Sequence, residues 1–157
     1  MKNKLYIMCG CPGAGKSTYA KKSFPNIKYI SRDEIRFNLV KENEPYFSRE
    51  KEVFKTFVKE INEALRKQVD VIADATHLTK VSRFKLISNL NINKEKTEII
   101  FIVMRTPLDV CIERNENRKG TRSYVPPEVI KNMFHSFRKP SLEECDGIID
   151  KIFEVGE

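Results

Sequence analysis

The 157-residue sequence contains no apolar run long enough to span a lipid bilayer, which takes about 20 consecutive apolar residues. Its first ten residues carry two lysines but no long apolar stretch with a cleavage site, so we expect a first β-strand there and not a signal peptide. Low-complexity tracts, internal repeats and linkers are also missing. We therefore expect a single domain over residues 1–157, without a membrane partner.

The four cysteines form neither a C-x-x-C pair nor a Cys/His spacing typical of zinc sites. Cys9 and Cys11 flank a glycine turn, and Cys111 and Cys145 are far away in sequence. We interpret all four as reduced thiols, which favours a cytoplasmic location.

Basic residues outnumber acidic ones, giving a formal net charge of +7 and an isoelectric point near 9.2. Such a balance favours anionic partners, namely nucleic acid, nucleotides or a membrane surface. The net charge does not choose among them, because many basic proteins bind none of these.

Short β-favouring runs alternate with amphipathic helical patterns along the chain. The predicted strands are 5–9, 27–30, 69–74, 98–104 and 151–155. The predicted helices are 16–22, 32–40, 48–67, 80–90, 107–117 and one that begins at residue 127. This alternation predicts an α/β fold with a central parallel sheet flanked by helices, and the most hydrophobic run, 98–104, is the expected central strand.

The stretch "GCPGAGKS" begins at Gly10 and fits the phosphate-loop pattern G-x-x-x-x-G-K-[ST] at every fixed position. Gly10, Gly13 and Gly15 allow successive backbone N–H groups to point at a phosphate, and the helix that follows adds the positive end of its dipole. Lys16 can reach the β- and γ-phosphates, and the Ser17 hydroxyl can bind Mg²⁺. The stretch therefore predicts binding of a nucleoside triphosphate with Mg²⁺.

A second Mg²⁺ contact is expected from an acid at the end of a neighbouring strand. Asp74 closes "VIAD", whereas its rival Asp70 lies near the start of the same strand. Ligands collect at the carboxyl ends of parallel strands, so we prefer Asp74.

The segment "RNENRKGTR" is rich in arginine and predicts a lid over the nucleotide. Arg114 and Arg118 are four residues apart and share a face if the helix continues that far. Gly120 is a candidate hinge, while Lys119 and Arg122 are less constrained. The alternative interpretation is a solvated basic loop.

The stretch "SRDEIR" contains an S-x-x-E capping box made of Ser31 and Glu34, which gives Glu34 a structural role. Asp33 and Arg36 lie three apart and share the opposite side of the predicted helix. Asp33 could accept a proton from an attacking hydroxyl, and Arg36 could bind an anionic acceptor. The alternative is an exposed ion pair of little energetic value.

Taken together, "GCPGAGKST", "SRDEIR", "DATHL" and "RNENRKGTRSYVP" resemble the 5′-kinase domain of phage-type polynucleotide kinases, over roughly residues 4–140. The resemblance implies a P-loop kinase fold with an arginine-bearing lid at about 114–126. It also implies transfer of the ATP γ-phosphoryl group to the 5′-hydroxyl of DNA or RNA ends, with Mg²⁺. A D-x-D-x-T motif is missing, so we expect neither 3′-phosphatase nor ligase activity.

The same resemblance assigns site residues. The implied catalytic residues are Lys16, Asp33 and Arg118. The implied nucleotide-binding residues are Gly10, Gly13, Ala14, Gly15, Lys16, Ser17, Thr18 and Arg114. Arg36 and Thr76 are expected at the acceptor, and Ser17 and Asp74 at the metal. His77 and His135 receive no role.

Two alternatives stay open at this point. An extra lysine, Lys119, lies between the lid arginine and Gly120, so Arg118 and Lys119 compete for one role, and we prefer Arg118. The acceptor could instead be a small molecule such as a nucleoside, sugar acid or antibiotic. A third possibility is a nucleotide-dependent regulatory module without phosphotransfer.

Overall fold

Five parallel strands form the centre of the computed structural model, which describes residues 1–156. They are β1 (Asn3–Cys9), β2 (Lys28–Ser31), β3 (Val71–Asp74), β4 (Thr97–Met104) and β5 (Lys151–Val155), in the spatial order β2-β3-β1-β4-β5. The predicted parallel sheet is confirmed, but the predicted central position of β4 is wrong. The middle strand is β1, because hydrophobicity reports burial on both faces and does not order the strands.

Six α-helices connect and cover the strands. They are α1 (Lys16–Ser23), α2 (Arg32–Leu39), α3 (Glu50–Arg66), α4 (Lys80–Asn89), α5 (Leu108–Glu116) and α6 (Pro127–Ser136). All six begin within a few residues of their predicted starts, and the five with a predicted end finish within a few residues of it. A short 3₁₀ turn, Cys145–Gly147, precedes β5 and was not predicted. None of the helices in residues 1–156 is both long enough and apolar enough to cross a membrane.

The sheet is covered on both faces because alternate strand residues point in opposite directions. Leu5 and Ile7 of β1 pack in one cluster with the apolar side of α3, where Phe57 and Ile61 are fully buried. Met8 packs on the other face, in a cluster that includes Ala20 of α1. Truncating a buried phenylalanine such as Phe57 to alanine costs about 3–5 kcal/mol.

A buried ion pair joins α4 to the segment before β5. The guanidinium of Arg83 is fully buried, and its Nε donates to Oε1 of Glu144 at 2.6 Å. Two other Arg83 nitrogens donate to the carbonyl oxygens of His77 and Arg138, at 2.9 and 2.8 Å. The pair therefore anchors the loop after β3 that carries His77.

Candidate active site

The carboxyl ends of β1, β2 and β3 lie side by side. Asp74 pairs in register with Met8 on one side and with Ser31 on the other. The loop after β1, the start of α2 and the loop after β3 consequently meet at one edge of the sheet. The topology thus brings three distant sequence motifs together.

The phosphate loop runs from the end of β1 to the start of α1, in the strand–loop–helix context that the sequence predicts. Gly13 and Gly15 adopt φ values of 85° and 90°, which L side chains rarely adopt. A Cβ on Gly13 would lie 2.5 Å from the carbonyl oxygen of Cys111 in α5. Glycine is therefore required at this position both for its conformation and for the close contact with α5.

A cavity of about 510 Å³ opens between this loop, α2 and the lid. Its wall contains nine of the residues proposed from sequence: Gly13, Gly15, Lys16, Ser17, Asp33, Arg36, Asp74, Thr76 and Arg118. Four others lie outside that wall. Gly10 donates its N–H to the carbonyl of Thr76, Ala14 is buried beneath the loop, and Thr18 is exposed on α1. Arg114 is exposed, but its Nη1 donates to the Gly13 carbonyl at 3.3 Å and so braces the loop from α5.

The expected metal contacts are oxygen donors facing the same cavity. Asp74 is 6% exposed, and the Tyr29 hydroxyl donates to its carboxylate. Burial raises the pKa of Asp74, while the Lys16 charge and the Tyr29 hydrogen bond oppose that rise. A hydroxyl from Ser17 and a carboxylate from Asp74 are ligands that suit Mg²⁺, which usually keeps several water and phosphate oxygens.

The geometry rejects the rival acid. Asp70 lies before β3 and accepts a hydrogen bond from the N–H of Lys4 at 2.7 Å, at the opposite end of the strands. Within residues 1–156 there is also no cluster of three or more His, Cys, Asp or Glu side chains that could hold a metal alone. A metal at this site would therefore depend on phosphate and water oxygens as well.

The predicted capping box at α2 forms only in part. Ser31 is the N-cap residue, and its Oγ accepts the N–H of Glu34 at 3.2 Å, as predicted. The Glu34 carboxylate turns instead toward Lys21, whose Nζ lies 3.8 Å away. This leaves Glu34 in a surface ion pair of little energetic value.

Asp33 and Arg36 share one side of α2, as predicted, and Arg36 Nη1 lies 2.5 Å from Asp33 Oδ1. The alternative of an exposed ion pair is wrong for Arg36, which is only 6% exposed, whereas the Asp33 side chain is 67% exposed. Arg36 is buried because its Nε and Nη2 bind the two oxygens of Glu50 at 2.7 and 2.8 Å. The bidentate geometry fixes the guanidinium and leaves the Asp33 carboxylate accessible.

Glu50 and two aromatic residues are site components that the sequence analysis missed. Tyr46 and Phe47 place their ring centroids 5.0 and 5.2 Å from the Arg36 guanidinium carbon. Partial burial raises the pKa of Glu50, but hydrogen bonding and charge from Arg36 outweigh it and hold that pKa below its usual range. No local pattern marks Glu50, because its role arises only when α3 packs against α2.

The condition under which Arg114 and Arg118 would share a helix face is not met. Helix α5 ends at Glu116, so the two arginines do not lie on one continuous helix. Arg118 reaches the cavity wall from the turn after α5, while Lys119 is exposed and lies outside that wall. The geometry thus favours Arg118 over Lys119.

Two further contacts hold the predicted lid segment. Buried Asn115 donates to the Val125 carbonyl at 2.5 Å and accepts its N–H at 3.0 Å, which closes the base of the loop. Arg122 donates to the carbonyls of Phe37 and Val40, at 3.2 and 2.7 Å, at the end of α2. The predicted lid segment is therefore bound to the end of the helix that carries Asp33.

This fold and site define the P-loop kinase class: a five-stranded parallel sheet flanked by helices, with a phosphate loop after its middle strand. The chain belongs to the AAA_33 family of AAA domains, which matches residues 5–140.

Three solved structures are similar to this chain. A chain of the Pnkp1/Rnl/Hen1 RNA repair complex has a TM-score of 0.70 and 23% identity, covering 86% of this chain and 44% of that chain. A fungal RNA kinase has a TM-score of 0.70 and 12% identity, covering 99% of this chain and 38% of that one. A gluconokinase from Sinorhizobium meliloti 1021 has a TM-score of 0.60 and 17% identity, covering 97% of this chain and 81% of that chain. These identities establish the fold alone, and this chain spans less than half the length of the first two.

Proposed function

We propose that this protein is an ATP-dependent kinase that transfers the γ-phosphoryl group to the 5′-hydroxyl of DNA or RNA. One observation carries the proposal. The accessible carboxylate of Asp33 and the phosphate loop line the same cavity, which supports a proton acceptor close to a bound triphosphate. The similarity in fold to two RNA-processing proteins and the net charge of +7 support a polynucleotide acceptor.

The nucleotide end of the cavity is formed by the phosphate loop and α1. We propose that Gly10, Gly13, Ala14, Gly15, Lys16, Ser17 and Thr18 bind the ATP phosphates, with Arg114 bracing the loop. Ser17 and Asp74 would hold Mg²⁺, which when bound neutralises charge on the phosphates. Lys16 already points its ammonium group at the loop, since its Nζ donates to the Cys11 carbonyl at 3.1 Å.

The transfer step follows from the two ends of the cavity. The acceptor hydroxyl oxygen attacks the γ-phosphorus, its proton passes to Asp33, and the bond between the γ-phosphorus and the ADP oxygen breaks. Arg118 offsets the negative charge that spreads over the equatorial oxygens. Arg36 holds Asp33 in place, and Arg36 and Thr76 contact the acceptor.

A small-molecule acceptor is the second candidate. The gluconokinase similarity favours it, because that chain shares the fold over 97% of this one, and a cavity of about 510 Å³ is large enough for a small ligand. Both candidates use the same donor site, so only the acceptor separates them.

An acceptor panel with γ-labelled ATP and Mg²⁺ tests the proposal. It contains a 5′-hydroxyl oligonucleotide, a nucleoside 3′-monophosphate, a nucleoside and a sugar acid such as gluconate. We expect label on the first two. Label confined to the nucleoside or the sugar acid would favour the second candidate, and no label on any acceptor would contradict phosphotransfer altogether.

Asp33→Asn tests the proton acceptor and excludes a regulatory module without phosphotransfer. We expect kcat to fall by about 10²–10⁴-fold with nucleotide affinity retained, because general-base catalysis contributes about that much. Glu34→Gln is the matched control, since Glu34 is the adjacent acid and pairs with Lys21 at the surface. Equal activities of the two variants would remove Asp33 from the mechanism.

A further inference from the structure

Two thiols that the proposed mechanism does not use lie in contact beside the phosphate loop. Cys11 belongs to that loop and Cys111 to α5, 100 residues further along the chain, yet their Sγ atoms are 3.3 Å apart. Both residues are buried, Cys11 with 5% and Cys111 with 0% of its surface exposed. A disulfide bond is about 2.05 Å long, so the two sulfur atoms need to approach by only about 1 Å to be bonded.

The backbone segments on the two sides of this pair are already packed closely. The carbonyl oxygen of Cys111 lies 2.5 Å from the position that a Cβ would take on Gly13. The Thr106 hydroxyl, just before α5, donates to the Ala14 carbonyl at 2.7 Å. A bond between the two sulfur atoms would therefore join segments that already touch.

The two thiols differ in acidity. A hydrogen bond with the Cys111 thiol lowers the pKa of Cys11 below its usual range; burial opposes this effect and the positive charge of Lys16 supports it. The same hydrogen bond, together with burial, raises the pKa of Cys111. Because the thiolate is the reactive form, Cys11 is the nucleophile and Cys111 is the neighbouring thiol that can complete a disulfide.

The other two cysteines have a different environment. Burial raises the pKa of Cys9 to about 12, and its Sγ donates to the Ile7 carbonyl at 3.8 Å, so Cys9 stays a thiol near neutral pH. Burial also raises the pKa of Cys145, which precedes β5. Cys11 thus combines the two features typical of a redox-sensing cysteine, a lowered pKa and a second cysteine in contact.

A bond between the two sulfur atoms should change the shape of the phosphate loop. Cys11 lies between Gly10 and Gly13, and its carbonyl oxygen accepts the hydrogen bond from Lys16 Nζ at 3.1 Å. Hydrogen bonds of N–H groups span about 2.7–3.2 Å, so a shift of the loop approaching 1 Å is enough to break contacts with a bound phosphate. Such a bond should therefore weaken nucleotide binding.

We propose that Cys11 and Cys111 form a modification site, at which a peroxide produces a disulfide bond that weakens nucleotide binding by the phosphate loop. A reducing thiol would restore the two free cysteines by thiol–disulfide exchange. The inference goes beyond the proposed function, since it depends on nucleotide binding and not on the identity of the acceptor.

The chemistry has two steps, and the small exposed fraction of Cys11 favours a small oxidant such as hydrogen peroxide. The Cys11 thiolate attacks one peroxide oxygen, the O–O bond breaks, and the departing hydroxide takes up a proton to become water. Cys11 is thereby oxidised to the sulfenic acid. The Cys111 sulfur then attacks the Cys11 sulfur, the S–O bond breaks, and the oxygen leaves as water with the Cys111 proton.

Peptide mapping tests for the bond in the full chain. Reduced protein is treated with hydrogen peroxide, and a portion is then reduced again with dithiothreitol. We expect the oxidised protein to lose the mass of two hydrogen atoms, and trypsin to release residues 5–16 linked to residues 106–114. The first of these peptides contains both Cys9 and Cys11, so fragmentation of the linked pair must assign the bonded sulfur to Cys11.

The affinity for ATP with Mg²⁺, measured by titration calorimetry, is the functional readout. We expect oxidation to raise Kd by about tenfold or more, because the loss of about one hydrogen bond to phosphate corresponds to that change, and dithiothreitol to restore it. Cys111→Ala cannot form the bond, so peroxide should leave its Kd unchanged. Cys145→Ser is the control, since it keeps the pair and should respond like the unmodified protein.

Thermal unfolding establishes whether each variant is folded, and the peptide map of the unmodified protein decides on the bond without any variant. Recovery of unlinked peptides only, or a linked pair with an unchanged Kd, would overturn the inference. An equal rise of Kd in the unmodified protein and in Cys111→Ala would also overturn it. The kinase proposal survives these results, whereas a reduced protein that binds no ATP would contradict that proposal itself.

Discussion

Neutralising Glu144 should destabilise the protein strongly, because Glu144 is the only carboxylate that pairs with Arg83 in residues 1–156. The Arg83 side chain is 0% exposed and that of Glu144 is 4% exposed. Glu144→Gln keeps the shape of the side chain and removes its charge. The substitution therefore leaves a buried guanidinium without a counterion.

The expected magnitude follows from the remaining contacts. Removing the charge of one partner of a buried ion pair costs about 3–5 kcal/mol of stability. Two backbone carbonyls, those of His77 and Arg138, still accept hydrogen bonds from the guanidinium at 2.9 and 2.8 Å, so we expect a value near the lower end, about 3 kcal/mol. For a domain of this size that loss corresponds to roughly 6–12 °C in Tm.

Urea and thermal unfolding followed by circular dichroism measure this loss. Glu128→Gln is the matched control, because Glu128 pairs with Lys131 at 3.2 Å but its side chain is 80% exposed. It should leave Tm within about 1 °C, as exposed pairs contribute little. A loss below about 1 kcal/mol in Glu144→Gln would refute the claim that the Arg83 charge depends on this carboxylate.

Three other perturbations separate the remaining assignments. Arg118→Ala should lower kcat by about 10³–10⁵-fold, as loss of an arginine finger does, whereas Lys119→Ala should retain most activity. If steady-state kinetics show the reverse, Lys119 and not Arg118 stabilises the transferring phosphoryl group. Gly13→Ala should destabilise far more than Gly120→Ala in urea unfolding. Both glycines have φ near 85–88°. A Cβ at Gly13 would lie 2.5 Å from a backbone oxygen of α5, whereas a Cβ at Gly120 would have no atom within 4 Å. Equal losses of stability in the two variants would contradict the close contact between Gly13 and α5. Burial of His77 in the folded protein lowers its pKa from 6.5 to about 4. Between these two pH values the unfolded chain binds a proton that the folded chain does not. The free energy of unfolding should therefore fall as the pH drops from 6.5 to 4. This loss of stability should be on the order of 3 kcal/mol in the unmodified protein and should be missing in His77→Asn. An identical dependence of stability on pH in both proteins would refute the lowered pKa of His77.

The positions of the strands and helices could be predicted because each depends on local periodicity. The 17-residue helix α3, with apolar residues at helical spacing, is the clearest case. The phosphate loop was equally accessible, since its glycines and Lys16 occupy fixed offsets within eight residues. The order of the strands in the sheet was not accessible. We expected β4 in the centre because it is the most hydrophobic run, but β1 is the middle strand.

At the acceptor end of the site, too, local patterns predicted relations within one helix but not contacts between helices. Helix phase correctly predicted that Asp33 and Arg36 share a side, because that relation lies within one helix. The alternative of an exposed Asp33–Arg36 ion pair stayed open only because the contact between Arg36 and Glu50 of α3 cannot be inferred from α2 alone. Whether Arg114 and Arg118 share a face depended in the same way on a distant contact, since α5 ends where Asn115 binds Val125 across the predicted lid segment.

The sequence by itself determined the α/β class, the phosphate loop and the shared side of α2 on which Asp33 and Arg36 lie, since each follows from local patterns of residues. Only the tertiary structure decided that Arg36 is buried against Glu50 and that Arg118, not Lys119, reaches the cavity wall. These features depend on contacts between residues distant in sequence, and burial and hydrogen bonding exist only once those elements pack.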